Sequence, residues 1–498
     1  MATANIKPLN ILFITPEIAP FVKAGGLGDV AGPLCAALMA RGHQVRVVIP
    51  RYRTLCVPVD SQEKVLAEMG VWMGDVQEWC SVWRTSTAEK VPLFLIEHKL
   101  FFDREGIYHD NALGDYGDNP RRFGFLTQAA LQLCRDTAFK PDIVHCNDWP
   151  TALAPAYLKL WYDKDPVLCD AASVLTIHNA AYQGIYPSHH ISYLGTGWEN
   201  FTPEKFETFR QLNMLKGGIH YADAVTAVSP SYCRESRAPH GGYGLAPYLN
   251  DKGNRFSGIL NGADYTVWSP ECDTLIPHRF SAADRCGKAV SKRVLQEKFG
   301  LSPDDRVPVI GMVTRLNDQK GMGLITRMVD RILKDMEVQL VIVGSGEGYY
   351  EHFYYDLPDR FPGKAGSFIG FNNTLAHLVL AGSDLFLMPS LHEPCGLTQL
   401  YALRYGTLPI VRATGGLDDT VVNYDEKTGA GTGFKFSDPD PAGLYYTVGW
   451  AVSTWYDRKS HFNALIETAM KQRFEWSNSA AEYEQVYRRA IAFKKNHV

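Results

Sequence analysis

Short apolar runs alternate with longer segments whose apolar residues recur at helical spacing, and the alternation extends over nearly the whole chain. Residues 9 to 15 read as a buried strand, Asp29 to Ala40 as a helix with Pro33 in its first turns, and Gln44 to Ile49 as the next strand. Arg41-Gly42-His43 ends the helix between them. This opening βαβ unit predicts parallel strands joined by a right-handed crossover. Further strands are expected at Val91 to Ile96, Ile143 to Cys146, Val174 to Ile177 and Ala224 to Val228, with helices such as Gly124 to Cys134 and Thr151 to Leu160 between them. From Ala238 to Pro277 the pattern weakens into a stretch bearing Gly, Pro and Asn, in which Ser257 to Gly262 is the strand-like piece. A second alternation then places strands at Val307 to Val313, Gln339 to Val343, Ser367 to Ile369, Asp384 to Met388 and Leu408 to Val411. The predicted class is α/β: two doubly wound, Rossmann-like domains, 1–262 and 263–475, facing across a cleft lined by strand ends. The tail from Pro441 reads as helical, and 476–498 is expected to pack back on the first domain.

Composition agrees with two domains, because 498 residues, 46% of them hydrophobic, exceed one ordinary core. A formal net charge of -4 supplies no basic field for a nucleic-acid backbone, so nucleic acid is not an expected partner. The ten cysteines form no C-x-x-C pair or compact Cys/His cluster, which argues for free thiols and against structural zinc or a disulfide framework. No apolar stretch reaches bilayer length, so no membrane is expected. Met1 to Leu9 is too short and too weakly basic for a leader, so the chain as given is expected to stay where it is made.

Candidate chemistry falls just after the expected strands. Lys23-Ala24-Gly25-Gly26-Leu27-Gly28-Asp29-Val30 joins the first strand to the first helix, where glycines let backbone N–H groups approach an anion and Lys23 adds charge. An ordinary βα turn would read the same way. The other clusters are His145 to Trp149, His178 to Gly184, Arg315 with Lys320, Gly344-Ser345-Gly346, Glu393 to Gln399, and Thr414-Gly415-Gly416. Arg315 and Lys320 could clamp a diphosphate or merely be solvated at a helix start. Glu393 could bind sugar hydroxyls or cap a helix, and His178 could meet a ligand or be a satisfied buried histidine. Asp148 beside Trp149 suits carbohydrate, yet also ordinary packing. The Asp-x-Asp triplets Asp163-Lys164-Asp165 and Asp438-Pro439-Asp440 sit away from strand ends, so phosphate charge is expected to meet Lys23, Arg315 and Lys320 rather than a metal.

Taken together these residues resemble the bacterial glycogen synthases and plant-type starch synthases. Lys23 to Val30 is similar to that family's K-x-G-G-L-G-D-V loop, Glu393 to Gln399 to its E-P-C-G-L-T-Q loop, and Thr414 to Leu417 to its second glycine motif. His178-Asn179 with Tyr182-Gln183-Gly184, and Arg315 with Gln319-Lys320-Gly321, align as well. The resemblance implies a GT-B fold, a first domain for acceptor and catalysis, and a second for the nucleotide sugar. It implies retaining transfer of glucose from ADP-glucose to the non-reducing end of an α-1,4-glucan or maltooligosaccharide; no cofactor and no metal are expected. Lys23, Gly25 and Gly26 would then approach the donor phosphates, Arg315 and Lys320 would stabilise the departing diphosphate, and Thr398 would add a phosphate contact beside Leu397. His178, Asn261, Glu393, Cys395 and Gly396 would surround the transferred glucose, with Asp148 and Trp149 where donor and acceptor meet. Lys23 would complete the site only on cleft closure. The implied location is a bacterial cytoplasm or a storage-polysaccharide granule, or the plastid stroma for a trimmed eukaryotic chain.

Three positions depart from the family pattern. Leu391-His392 precedes Glu393 where an aromatic residue is usual, Pro150 follows Trp149 where His is frequent, and Phe371 stands where Tyr often stacks near adenine. Alternative readings keep the fold with another nucleotide-sugar donor or with phosphorolysis of a glucan, or make the chain a catalytically silent glucan binder.

Overall fold

The computed structural model describes residues 7–58, 61–110 and 114–496; the first six residues of the segment considered as a leader lie outside them. The chain divides into two compact units, one holding the residues up to Gly262 together with those from Trp476 on, the other Ala263–Glu475.

The first unit is organised on a nine-stranded sheet. From one edge its strands are Phe256–Gly258, Ala224–Ala227, Ala172–Ile177, Ile143–Asn147, Asn10–Ile14, Gln44–Pro50, Pro92–Glu97, Val76–Ser86 and Glu63–Met73. The first seven pair in parallel. Strand order reverses between Asn10–Ile14 and Ile143–Asn147, the point of a doubly wound sheet where a crevice opens beyond the strand ends. Every residue of Ile143–Asn147 and Ala172–Ile177 is buried, as helices on both faces of a parallel sheet require.

Two strands of this sheet were not expected from the pattern. Glu63–Met73 and Val76–Ser86 form an antiparallel hairpin on Pro92–Glu97, at the edge farthest from the reversal point. One face meets water, so charged residues interrupt the apolar run and Trp72 and Trp79 are half exposed. The first helix also begins earlier than expected, at Gly26, which moves Pro33 out of the first turns into the interior of Gly26–Ala40.

The second unit is a six-stranded, wholly parallel sheet. Its order is Ala365–Ile369, Gln339–Gly344, Val309–Val313, Leu385–Met388, Leu408–Arg412 and Phe434–Phe436, with the reversal between Val309–Val313 and Leu385–Met388. The edge strand Phe434–Phe436 has three residues, too few to give a pattern.

The terminal helix Trp476–Lys495 belongs to the first unit. Tyr483 and Tyr487 are fully buried, and the Tyr487 hydroxyl lies 2.8 Å from Nδ1 of His145 in the sheet. Buried Glu484 accepts from Arg41 at 2.8 Å and from Arg488 at 2.8 Å, and Lys494 Nζ donates to the Ala171 carbonyl at 2.9 Å. Replacing Tyr487 by Ala is expected to lower the unfolding free energy by roughly 3–5 kcal/mol, while Phe, which loses only the hydrogen bond, costs about 1 kcal/mol. Urea titration of the two variants measures the difference.

Candidate functional site

Both reversal points carry the polar clusters. In the first unit, the chain leaving Asn10–Ile14 turns through Thr15 and Glu17 before reaching the glycine loop. Glu17, buried, accepts the backbone N–H of Ala24 at 2.6 Å and of Gly25 at 2.9 Å through Oε2, and the Tyr108 hydroxyl at 2.6 Å through Oε1. Two of the amides expected to await an anion are thus already held by an internal carboxylate. Gly25 and Gly26 do not occupy left-handed backbone; a Cβ on either would enter open space, so their smoothness keeps the helix start accessible. Lys23 is paired with Asp29 at 2.6 Å.

On the adjoining strand, Asn147 donates to the Ile14 carbonyl at 3.0 Å, tying the two strand ends together. Asp148 follows with φ +55, a strained conformation for a residue with a side chain. Its Oδ1 accepts the His178 N–H at 2.7 Å. Burial pushes its carboxyl up to about 7, against those amide hydrogen bonds and with Glu17 adding repulsion. His178 Nε2 lies 3.1 Å from Asn147 Oδ1, which can only accept, so Nε2 carries the proton. Burial lowers its pKa to about 3, so the neutral ring keeps Nδ1 as an acceptor. Asn261 buries Oδ1 with no hydrogen-bond partner among the described residues, a second acceptor in want of a donor. Trp149, only 8% exposed, packs among Tyr108, Phe123 and Tyr186, and Gly184 is glycine because a Cβ there would strike the indole. Its ring supports the loop from beneath rather than standing free.

In the second unit, Arg315 and Lys320 lie on the connection after Val309–Val313. Asn317 caps the turn at the Lys320 N–H, and Gly321, φ +76, admits the Pro389 carbonyl where a Cβ would collide. Lys320 Nζ reaches Glu393 Oε2 at 2.6 Å, and Ser390 donates to the same oxygen at 2.9 Å. Glu393 is therefore an ion-pair partner and not a helix cap; the helix begins at Thr398. Arg315 is exposed, and among the described residues its guanidinium has no partner. Close backbone approach holds this site together. A Cβ at Gly415 would strike the Glu393 carbonyl and one at Gly416 the Cys395 carbonyl, while the Gly416 N–H donates to Glu393 at 3.1 Å. Gly396, φ +69, turns the loop over Gln399, whose amide donates to the Cys395 and Gly396 carbonyls at 3.0 Å. Leu397 is partly buried against the core and Cys395 is buried, whereas Phe371 is 89% exposed. Leu391-His392 is accommodated by backbone contacts: Leu391 N–H donates to the Gln319 carbonyl at 2.9 Å and Arg412 donates to Ser390 at 3.0 Å. Burial lowers the His392 pKa to about 4, so it stays neutral near pH 7. Among the described residues no group of three or more His, Cys, Asp or Glu could hold a metal ion.

Residues 10–251 match the family of starch synthase catalytic domains and 295–459 that of group 1 glycosyl transferases. Glycogen synthase 1 of Geobacter metallireducens is 45% identical over 98% of this chain and 97% of its own length. The chain belongs to the glycogen and starch synthases. A second relative in this family, glycogen synthase of Treponema denticola, is 41% identical over 98% of this chain and 99% of its own length. The catalytic domain of starch synthase IV from Arabidopsis thaliana superposes with a TM-score of 0.89 at 33% identity, covering 98% of this chain and 100% of that one. A sucrose-phosphate synthase from Thermosynechococcus elongatus, at 16% identity and a TM-score of 0.60 over 97% of this chain and 99% of its own, shares the fold alone. As a glycogen and starch synthase family member the chain is a glucosyltransferase, and its two Rossmann-like units are those of the GT-B class.

The sequence reading missed Glu17, Tyr108, Ser390 and Arg412. Glu17 and Ser390 could have been found by applying the strand-end rule to every polar residue after Asn10–Ile14 and Leu385–Met388; the partnerships of Tyr108 and Arg412 carry no local signal.

The raised Asp148 pKa has a thermodynamic sign. A carboxyl whose folded pKa exceeds its unfolded value stabilises the fold below about pH 4 and loses that contribution as pH rises through about 7. Asp148→Asn is therefore expected to raise stability at pH 8 by ~1–3 kcal/mol and to leave it unchanged near pH 4, read from chemical denaturation at both pH values.

Proposed function

We propose that this protein transfers glucose from ADP-glucose to the non-reducing end of an α-1,4-glucan with retention of anomeric configuration, in a bacterial cytoplasm or at a storage-polysaccharide granule. The observation that supports it most is the arrangement after Val309–Val313: Arg315, whose guanidinium has no partner among the described residues, on the same loop as a lysine fixed by buried Glu393. A fixed cation with an open one suits charge that develops on a leaving diphosphate. The donor nucleotide follows the Arabidopsis starch synthase, described as bound to ADP and acarbose.

The acceptor hydroxyl oxygen attacks the anomeric carbon from the face of the departing phosphate. The bond from that carbon to the phosphate oxygen breaks through an oxocarbenium-like state, and the hydroxyl proton passes to the leaving phosphate. Arg315 and Lys320 stabilise the released ADP, with Lys23, Gly26 and Thr398 as further phosphate contacts and Phe371 against the base. His178 Nδ1 and Asn261 Oδ1 accept from sugar hydroxyls, while Glu393, Cys395 and Gly396 border the glucose. Asp148, ionised above about pH 7, favours positive charge at the sugar and meets the acceptor beside Trp149. No metal or cofactor enters the scheme.

The test is a matrix of donors against acceptors. ADP release is expected to require both ADP-glucose and a maltooligosaccharide; release of glucose-1-phosphate with inorganic phosphate would assign a phosphorylase, and glucan retention without turnover a silent binder. Arg315→Ala should lower kcat about 10²- to 10³-fold. A change confined to KM would remove Arg315 from transition-state stabilisation.

A further inference from the structure

The first unit also contains a three-stranded antiparallel sheet, in which Ile185–Pro187 pairs with Gln211–Asn213 and the latter with Glu207–Thr208. Thr208 pairs with Gln211, so Phe209 and Arg210 alone form the hairpin loop. Two-residue loops with both central residues at positive φ favour Asn-Gly or Asp-Gly. Here the two positions have φ +48 and +63, yet hold a bulky aromatic and an arginine. Left-handed backbone is unfavourable to such residues, because it brings Cβ close to the following carbonyl oxygen. Phe209 gains no packing to offset this, because it is 93% exposed, more than any other large apolar side chain among the described residues. A residue unfavourable to its turn and unpacked in the fold is placed there for something outside the fold.

The hairpin is fastened to the segment that carries His178. Asn213 Nδ2 donates to Gln183 Oε1 at 2.6 Å, the Met214 N–H to the Gly184 carbonyl at 3.1 Å and the Leu215 N–H to the Gln183 carbonyl at 3.0 Å. Gln183 Nε2 in turn donates to the Ala180 carbonyl at 3.0 Å. Tyr182, in the same segment, is half exposed. The tip is therefore an extension of the loop that carries His178.

We propose that Phe209 is a stacking platform for an α-1,4-glucan chain, presented by a strained hairpin tip anchored to the His178 loop. Glucose rings offer apolar C–H faces, and an aromatic ring without a polar tip reads the face and not one hydroxyl. Such a platform engages chains extending past the reacting residue, so it distinguishes long acceptors from short ones. This assignment rests on the glucan acceptor proposed above.

The test compares the wild type with the double variant Phe209→Asn/Arg210→Gly, which supplies the favoured turn, and with Phe209→Trp. In the double variant Tm should rise, kcat and KM with maltotriose should stay unchanged, and KM with glycogen or amylopectin should increase roughly 2- to 10-fold. Retardation of the unreacted protein in glucan-containing native gels should fall in parallel, and Phe209→Trp should retain both. Unchanged long-chain KM and retardation would overturn the platform, as would equal losses on maltotriose. A change in oligomeric mass with unchanged glucan retardation would assign the tip to a protein contact instead. Wild-type retardation without ADP release would count against the proposed reaction while leaving the platform intact.

Discussion

Parallel strands buried on both faces are the constraint on which each unit depends. A sheet of this kind has no room for unpaired polar chemistry, and all six residues of Gln339–Gly344 are buried apolar, glycine or hydrogen-bonded side chains. Polar groups are driven to the strand ends. Only where strand order reverses do consecutive connections leave in opposite directions and open a crevice. In the first unit that point lies between Asn10–Ile14 and Ile143–Asn147, and in the second between Val309–Val313 and Leu385–Met388. Glu17, Lys23, Asn147 and Asp148 follow the first pair; Arg315, Lys320, Ser390 and Glu393 follow the second.

Charge at these points is largely prearranged. Glu17 occupies two amides of the glycine loop, Asp29 faces Lys23, and Glu393 faces Lys320. Buried or half-buried ions need partners when no ligand is bound, since an isolated charge there costs several kcal/mol. The pairs keep these side chains in place, whereas exposed Arg315 has no guanidinium partner among the described residues. Asp148 follows a different logic: it is desolvated without a cation, so its pKa rises into the range where a proton can be exchanged near neutrality.

Family membership and geometry constrain different things. Resemblance to glycogen and starch synthases over nearly the full chain fixes the reaction class, whereas contacts explain why particular residue types stand where they do. Gly415 and Gly416 illustrate the point, because they match the family's second glycine motif and here serve the close packing of two loops around Glu393. The Phe209 hairpin lies outside the motifs and was visible only as backbone strain combined with exposure.

The sequence by itself determined the alternation of strands and helices, the α/β class and the strand ends on which the motif residues fall, because apolar periodicity and glycine placement are local signals. It misread what depends on distant neighbours. The edge hairpin Glu63–Ser86 escaped detection because one of its faces meets water, and the helix start moved to Gly26 because the chain before it is held by Glu17. Tertiary structure alone decided that Glu393 pairs with Lys320 across 73 positions, that Trp149 is packed beneath its loop, and that Asp148 is desolvated. Each of these is set by which side chains arrive from elsewhere in the chain, and a one-dimensional pattern carries no record of that arrival.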